Sequence, residues 1–164
     1  MRILGIDPGT INLGYGIVDS DEEMRMVDCG VLRLSPRTPI EERLHSLYAE
    51  LSKVIVTYQP DEVAIEEPFI GQNAHTAFAI GRAQSIAILA AANQGLPIYY
   101  YSPAQIKQQV TSYGRSDKQQ VQEMVKIQLG LPQPPEASDA ADALAVAICH
   151  IQQNCFSQWL ANRS

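Results

Sequence analysis

The order of the apolar segments constrains the fold of this chain more than any other feature of the sequence. Three strand-like runs, over residues 2–6, 14–19 and 24–34, follow one another with only short turns between them, which is typical of an antiparallel meander. Two more strand-like runs, over residues 63–65 and 97–101, alternate with segments of helical periodicity. Three further helices are predicted after the fifth strand. We therefore expect an α/β fold with the element order βββαβαβααα, in which helices flank a mixed five-stranded sheet.

Capping signals predict where the helices begin and end. Thr38 is the predicted N-cap of the first helix, and Ser102 and Ser116 each open a sequence that is typical of a capping box. A long alanine-rich helix is predicted over residues 73–93 and the last helix over residues 138–152. These signals complete the assignment of five helices.

The length of 164 residues fits one domain, which we expect over residues 1–153, with a frayed tail over residues 154–164. Polar side chains interrupt the apolar stretches and the N-terminus lacks a basic flank, so we expect neither a membrane span nor a signal peptide. Cys29, Cys149 and Cys155 lie far apart and form no metal-binding pattern, which predicts reduced thiols. Together these features indicate a cytoplasmic protein.

Four acidic side chains lie at positions that such a sheet would bring close together. Asp7 ends the first predicted strand, and Glu66 ends the fourth. Asp139 and Asp142 are spaced i,i+3, so they share one face near the start of the last helix. A carboxylate is also typical of a turn start, of a solvated strand end and of the first turn of a helix, where it interacts favourably with the helix dipole. Each position therefore also has a purely structural explanation. The residues alone leave both interpretations open.

A cluster of these carboxylates would need a cation. Like charges repel, and without compensation the pKa values of the carboxyl groups would rise until they were protonated. Hard divalent cations such as Mg²⁺ prefer oxygen ligands. Two such ions about 3.5–4 Å apart can activate a water molecule and stabilise the leaving oxygen of a phosphodiester. If the carboxylates meet, the sequence predicts a metal-dependent site for phosphodiester hydrolysis.

Charge is distributed unevenly along the chain, whose formal net charge is −6. Residues 1–70 carry 13 acidic and 6 basic side chains, whereas residues 71–130 carry 2 acidic and 5 basic ones. The basic residues of this middle segment are Arg82, Lys107, Arg115, Lys118 and Lys126. The asymmetry permits a local basic face on an acidic protein, although it is also compatible with ordinary solvated surface.

Several motifs together closely resemble the RuvC family of bacterial Holliday junction endonucleases. They are Gly5-Ile6-Asp7-Pro8-Gly9-Thr10, Gly14-Tyr15-Gly16, Val63-Ala64-Ile65-Glu66, Asn93-Gln94-Gly95-Leu96-Pro97, Gln105-Ile106-Lys107-Gln108 and Asp139-Ala140-Ala141-Asp142-Ala143-Leu144-Ala145. The resemblance covers nearly the whole chain in order and without large insertions. It implies an RNase H-like fold, a homodimer, two Mg²⁺ ions per active site with Mn²⁺ able to substitute, and symmetric nicking of two strands of like polarity at a four-way DNA junction. It also implies a helicase complex of the RuvA and RuvB type as a partner.

The resemblance assigns roles to individual residues. The catalytic and metal-binding carboxylates of the family match Asp7, Glu66, Asp139 and Asp142. The residues expected to contact DNA through their charge are Lys107 and Lys118, to which we add the nearby Arg115. Phe69 occupies the position of an aromatic residue that stacks on a base near the crossover, with a place in the core as the alternative.

A stripe of small residues on the alanine-rich helix is our candidate for the dimer contact, with packing on the sheet as the alternative. The stripe consists of Ala74, Ala77, Gly81 and Ser85. The three histidines show no metal-ligand spacing and are expected to be surface or satisfied core residues. They are His45, His75 and His150, of which His75 could contact a phosphate.

Two other functions share parts of the pattern. Asp7-Pro8-Gly9-Thr10 also resembles the phosphate loop of actin-like ATPases, but that superfamily closes two lobes around a nucleotide and 164 residues supply only one. A non-catalytic DNA-binding relative would be expected to lose the clustered carboxylates first, because they are costly to hold together without a metal. All four are present, so the sequence favours an endonuclease.

Overall fold

The computed structural model describes residues 1–67, 74–112 and 116–161. The strands are β1 (Arg2–Asp7), β2 (Asn12–Ser20), β3 (Met24–Arg33), β4 (Glu62–Glu66) and β5 (Ile98–Tyr101). The helices are α1 (Ile40–Tyr58), α2 (Ala74–Asn93), α3 (Pro103–Thr111), α4 (Lys118–Gln128) and α5 (Ser138–Ala161). The predicted order βββαβαβααα is confirmed.

The strands form one mixed sheet in the order β3-β2-β1-β4-β5. β2 pairs antiparallel with β1 and with β3, as expected of a meander. On the other side of β1, β4 lies parallel to it, and β5 lies parallel to β4. Ile6 of β1 is opposite Ile65 of β4. The next residues, Asp7 and Glu66, are the last of their strands and therefore lie side by side at the same end of the sheet.

Apolar cores cover both faces of the sheet. Leu4 and Ile17 belong to the core that α1 and α2 cover, whereas Ile3 and Val18 belong to the core under α3, α4 and α5. This alternation follows from the period of two in a strand. Leu144 of α5 is fully buried in the second core, and its truncation to alanine would cost about 2–5 kcal/mol.

Glycines let α5 approach the sheet closely enough to reach the end of β1. A Cβ at Gly5 would collide with the carbonyl oxygen of Ala143, and one at Gly14 would collide with that of Asp139. A Cβ at Gly16 would lie 2.8 Å from the side chain of Leu144. The glycines in the first two strands therefore determine how near the acidic start of α5 comes to Asp7.

The start of α1 differs from the prediction. The helix begins at Ile40, Pro39 is its N-cap, and no side chain caps it, so the predicted cap at Thr38 is wrong. Glu41 and Glu42 lie in the first turn instead, where negative charge interacts favourably with the helix dipole.

The start of α4 and the end of α5 also differ. Asp117, not Ser116, is the N-cap of α4, and its side chain accepts the N–H of Gln120 in a complete capping box. α5 continues to Ala161, so the predicted end of the last helix at residue 152 is wrong and residues 154–161 are helical. The reason is that neither proline nor glycine interrupts the chain between residues 138 and 161. The assignment of residues 1–153 to a single domain stays a prediction.

None of the helices in the described part of the chain combines the length and the apolar character that a membrane crossing requires.

Candidate active site

Three of the predicted carboxylates meet where β1 ends and α5 begins. One carboxylate oxygen from each of Asp7, Asp139 and Asp142 lies within 4.8 Å of the others, and all three residues are partly buried. β1 delivers Asp7, and the close packing of α5 over Gly14 brings the backbone of Asp139 onto the sheet. Residues three apart on a helix share a face, so Asp142 points the same way as Asp139.

Glu66 lies at the side of this group. It lines the same cleft as Asp7 and Asp142, which has a volume of about 270 Å³. Its oxygens are not among those that lie within 4.8 Å of one another. Its charge nevertheless acts on Asp7, and the charge of Asp142 acts on Glu66. We call these four residues the carboxylate cluster.

The environment of the cluster raises the pKa values of its two strand-end members. Burial, followed by the charges of Glu66, Asp142 and Asp139, raises the pKa of Asp7 from 3.8 to about 8. Burial and the charge of Asp142 raise the pKa of Glu66 from 4.5 to about 7, against the opposing charges of two lysines. In both cases nearby lysines compensate the charged form only in part. The cluster is therefore poised to gain a cation or to hold protons.

Two predicted lysines lie at the same cleft. Lys107 and Lys118 both line it, and both lower the pKa of Glu66. Lys118 Nζ lies 2.8 Å from Asp142 Oδ2, and this hydrogen bond raises the pKa of the lysine. The Lys118 side chain remains 55% exposed, so its ammonium group is accessible from solvent. The cleft thus combines clustered negative charge with two cations at its wall.

Capping boxes fix the helices that carry these lysines. The Ser102 hydroxyl oxygen accepts the N–H of Gln105 at the start of α3, and the Gln105 side chain accepts the Ser102 N–H in return. Lys107 follows within the next turn. Lys118 is the first residue of α4, directly after its N-cap. Caps of this kind stabilise a helix start by about 0.5–2 kcal/mol each, so both lysines begin from well-defined backbone positions.

Two predicted DNA contacts, Phe69 and Arg115, lie outside the described residues, so their roles stay predictions. His75 is exposed near the start of α2. Among the described residues, Lys107 and Lys118 line the cleft and Lys126 does not; Lys126 Nζ lies 2.7 Å from Glu123 on the same helix.

The ion pair between Lys118 and Asp142 is a feature of the site that the sequence did not predict. The two residues lie on different helices, α4 and α5, so no local spacing connects them. The apolar wall of the cleft, formed by Pro103, Ile106, Val121 and Ala145, was also not anticipated. Helical periodicity identifies such residues as buried but does not reveal which of them face a cleft.

The chemistry of the donor set fits a hard divalent cation. The group of three aspartates offers only carboxylate oxygens, the ligands that Mg²⁺ and similar ions prefer. A bound cation would compensate the repulsion that raises the pKa values of Asp7 and Glu66. No soft ligand lies in this group, which argues against a thiolate-preferring metal.

Comparisons with known proteins point to one family. The family model described as crossover junction endodeoxyribonuclease RuvC matches residues 3–150. A protein of this name from Dehalococcoides mccartyi is 51% identical over 158 residues, which cover 96% of this chain and 95% of that protein. The solved structure of Thermus thermophilus RuvC is similar with a TM-score of 0.88 and 34% identity, over 96% of this chain and 97% of that one. The structure of T. thermophilus RuvC in complex with a Holliday junction substrate is similar with a TM-score of 0.90 and 34% identity, over 96% of each chain.

Proposed function

The chain belongs to the RuvC family of crossover junction endodeoxyribonucleases, and from this premise we propose that its carboxylate cluster resolves four-way DNA junctions by metal-dependent hydrolysis. The reaction is the paired, symmetric nicking of two strands of like polarity, in homologous recombination and DNA repair. The single observation that carries the proposal is the convergence of three aspartate oxygens within 4.8 Å at a cleft that also holds two lysines. A relative of 34% identity with the same fold has a Holliday junction as its substrate, which supports the choice of DNA.

The carboxylate cluster is proposed to hold the metal. Asp7, Asp139 and Asp142 supply the oxygens that lie together, and Glu66 adds a fourth carboxylate from the neighbouring strand. The proposed ions are two Mg²⁺, with Mn²⁺ able to substitute, and they supply a nucleophilic water and stabilisation of the leaving oxygen when bound. The carboxylates of this chain must be ionised to bind a cation. We therefore expect Asp7 and Glu66 to release their protons when the cation binds.

The lysines are proposed to hold the scissile phosphate. Lys107 and Lys118 lie at the wall of the cleft, so a phosphodiester that reaches the carboxylates passes near both ammonium groups. Positive charge beside the phosphate stabilises the negative charge that develops on its oxygens. Phe69 is proposed to stack on a base near the crossover, and Arg115 to add a phosphate contact.

The outer face of α2 is proposed as the homodimer contact. A Cβ at Gly81 would meet none of the described residues within 4 Å, whereas Ala83 and Ala87, on the opposite side of the helix, belong to the core under α1 and α2. For Gly81 this supports the dimer contact over packing on the sheet. Phe78 and Leu89, which are 62% and 49% exposed, lie on the same helix and add apolar area. A two-fold dimer would present two equivalent sites to the two strands that are cut.

The remaining partner proposals follow from family membership. We propose that a branch-migration helicase complex of the RuvA and RuvB type delivers the junction. The bacterial relatives support a place of action in the cytoplasm, at the nucleoid, with no membrane partner.

A nicking assay tests the proposal. The full chain with Mg²⁺ is expected to nick a four-way junction in two strands of like polarity and to leave a linear duplex of the same sequence intact. Equal cleavage of the linear duplex would contradict junction specificity. A lack of any cleavage, together with no calorimetric binding of Mg²⁺, would instead favour a non-catalytic DNA-binding relative.

A further inference from the structure

The histidine buried in α5 has polar partners that the proposed chemistry does not use. His150 is fully buried. Its Nε2 lies 2.7 Å from Glu62 Oε2, at the start of β4, and its Nδ1 lies 2.7 Å from the hydroxyl of Tyr101, at the end of β5. In the neutral ring that carries its hydrogen on Nε2, the Nε2–H donates to the Glu62 carboxylate and Nδ1 accepts the Tyr101 O–H. We call these three residues the histidine clamp.

The sheet side of the clamp leads directly to the carboxylate cluster. Glu62 begins the short strand β4 that ends at Glu66. Tyr101 is the residue of β5 that pairs with Glu66, and its carbonyl oxygen accepts the N–H of Glu67 at 2.9 Å. The strand that delivers Glu66 is thus tied to the clamp at both of its ends.

The helix side of the clamp leads to the other half of the cluster. His150 and Asp139 are 11 residues apart on α5, which is close to three turns, so they project from the same side of the helix. The separation along the axis is about 16 Å at 1.5 Å per residue. A small rotation or shift of α5 at His150 would therefore move Asp139 and Asp142 relative to the sheet.

Asn154 Nδ2 of α5 also donates a hydrogen bond to Glu62 Oε2 at 3.3 Å, whereas the close backbone contacts of α5 at Gly5 and Gly14 fix distance better than register. α5 packs over Gly5 and Gly14 with the backbone of Ala143 and Asp139, and Ala147 also lies against Gly5. Glycine and alanine allow close approach, but they present few ridges that resist sliding or rotation. Hydrogen bonds are directional, and a buried ring held on two sides has one orientation.

We propose that His150 is a positioning residue: its bonds to Glu62 and Tyr101 fix the register of α5 on the sheet and thereby the spacing of the carboxylate cluster. The inference rests on the proposed function, because its main readout is the affinity of the cluster for a divalent cation. His150 itself touches neither the cation nor the DNA. Loss of the clamp should weaken metal binding without removing any ligand.

Calorimetric titration of the full chain with Mn²⁺, without DNA, tests the positioning role. Tyr101→Phe removes only the hydroxyl that donates to His150 Nδ1, whereas His150→Phe removes the hydrogen bonds of the ring to both Glu62 and Tyr101. We expect Mn²⁺ affinity to fall about tenfold in His150→Phe, at the lower end of the range for residues that orient metal ligands, and by less, about threefold, in Tyr101→Phe, which keeps the bond to Glu62. His150→Gln can keep the bond to Glu62 and should lie between the two.

Ile148→Val is the matched control, because Ile148 is fully buried on the same helix and takes no part in the clamp. It should lower the unfolding temperature while leaving Mn²⁺ affinity within about twofold of the wild type, since a lost methyl group in the core costs stability and moves no polar partner. A ¹⁵N spectrum of the ring should also show the Nε2–H tautomer of His150. A different tautomer would overturn the bonding pattern of the clamp.

The outcomes separate the two proposals. Folded clamp variants with wild-type Mn²⁺ affinity would overturn the positioning role alone. If His150→Phe does not fold, Tyr101→Phe decides, because the loss of one hydroxyl leaves the packing in place. A wild-type protein that binds no Mn²⁺ would overturn both the clamp and the proposed function.

Discussion

Replacement of Asp7 by asparagine is expected to stabilise the protein in the absence of divalent cations while it abolishes activity. Burial is the main cause that raises the pKa of Asp7 from 3.8 to about 8, and the neighbouring carboxylates add to it. Between these two values the folded state binds the proton more tightly than the unfolded state does. The free energy of unfolding of the wild type therefore falls as the pH rises from about 4 to about 8. An asparagine side chain cannot ionise, so Asp7→Asn removes this loss.

The size of the gain follows from the same pKa. The difference between 3.8 and about 8 corresponds to roughly 6 kcal/mol at about 1.36 kcal/mol per pKa unit. Asparagine leaves a polar amide in the same partly buried place, which offsets about 1–3 kcal/mol. We expect Asp7→Asn to be more stable than the wild type by about 3–5 kcal/mol near pH 8 in EDTA, and by much less near pH 5.

Urea unfolding in EDTA across this pH range measures the effect. Asp19→Asn is the matched control with the opposite sign, because the hydrogen bond from Arg2 lowers the pKa of Asp19. That variant should lose about 0.2–1 kcal/mol at neutral pH, as for an exposed ion pair, and the loss should fade as the pH falls through the pKa of Asp19. If Asp7→Asn is no more stable than the wild type near pH 8 and has the same pH dependence, the raised pKa of Asp7 in the carboxylate cluster is refuted.

Three further predictions concern DNA binding and assembly. Lys118→Met should weaken junction binding for all sequences and flatten the slope of log affinity against log salt by about one unit. The control Lys126→Met removes a lysine that is paired with Glu123 and should leave the slope unchanged. Equal slopes in the wild type and both variants would contradict the phosphate contact of Lys118. Lys107→Ala should lower the single-turnover cleavage rate more than the affinity, because it removes a positive charge beside the scissile phosphate, and equal losses would argue against that placement. Gly81→Leu should shift a dimer towards monomer in sedimentation without unfolding it, and an undisturbed dimer would exclude this face of α2 as the contact.

The sheet and the carboxylates were predictable because local patterns determine them. The turn at Asp7-Pro8-Gly9 ends β1 by its backbone preferences, and the apolar run before Glu66 defines a buried strand. Parallel pairing of β1 with β4 then places both carboxylates at one end of the sheet. The spacing of Asp139 and Asp142 depends only on helix geometry.

Contacts between distant elements could not be predicted in the same way. The pairing of Lys118 with Asp142 depends on how α4 packs against α5, and no sequence spacing records that packing. His150 was expected to be a surface or satisfied core residue, and the structure confirms the second possibility. Its partners Glu62 and Tyr101, however, come from separate strands. The N-cap of α4 was misplaced by one residue because Ser116 and Asp117 are both good caps and only the fold selects between them.

Cleavage and binding of one four-way junction, measured side by side for the wild type and Asp142→Asn in Mg²⁺, test the central claim most directly. Asp142 contributes an oxygen to the carboxylate cluster, so its replacement should remove the chemistry before it changes affinity. The account predicts that the wild type nicks two strands of like polarity and that Asp142→Asn binds the junction within about twofold but gives no detectable nicking. Near-normal nicking by Asp142→Asn would contradict it.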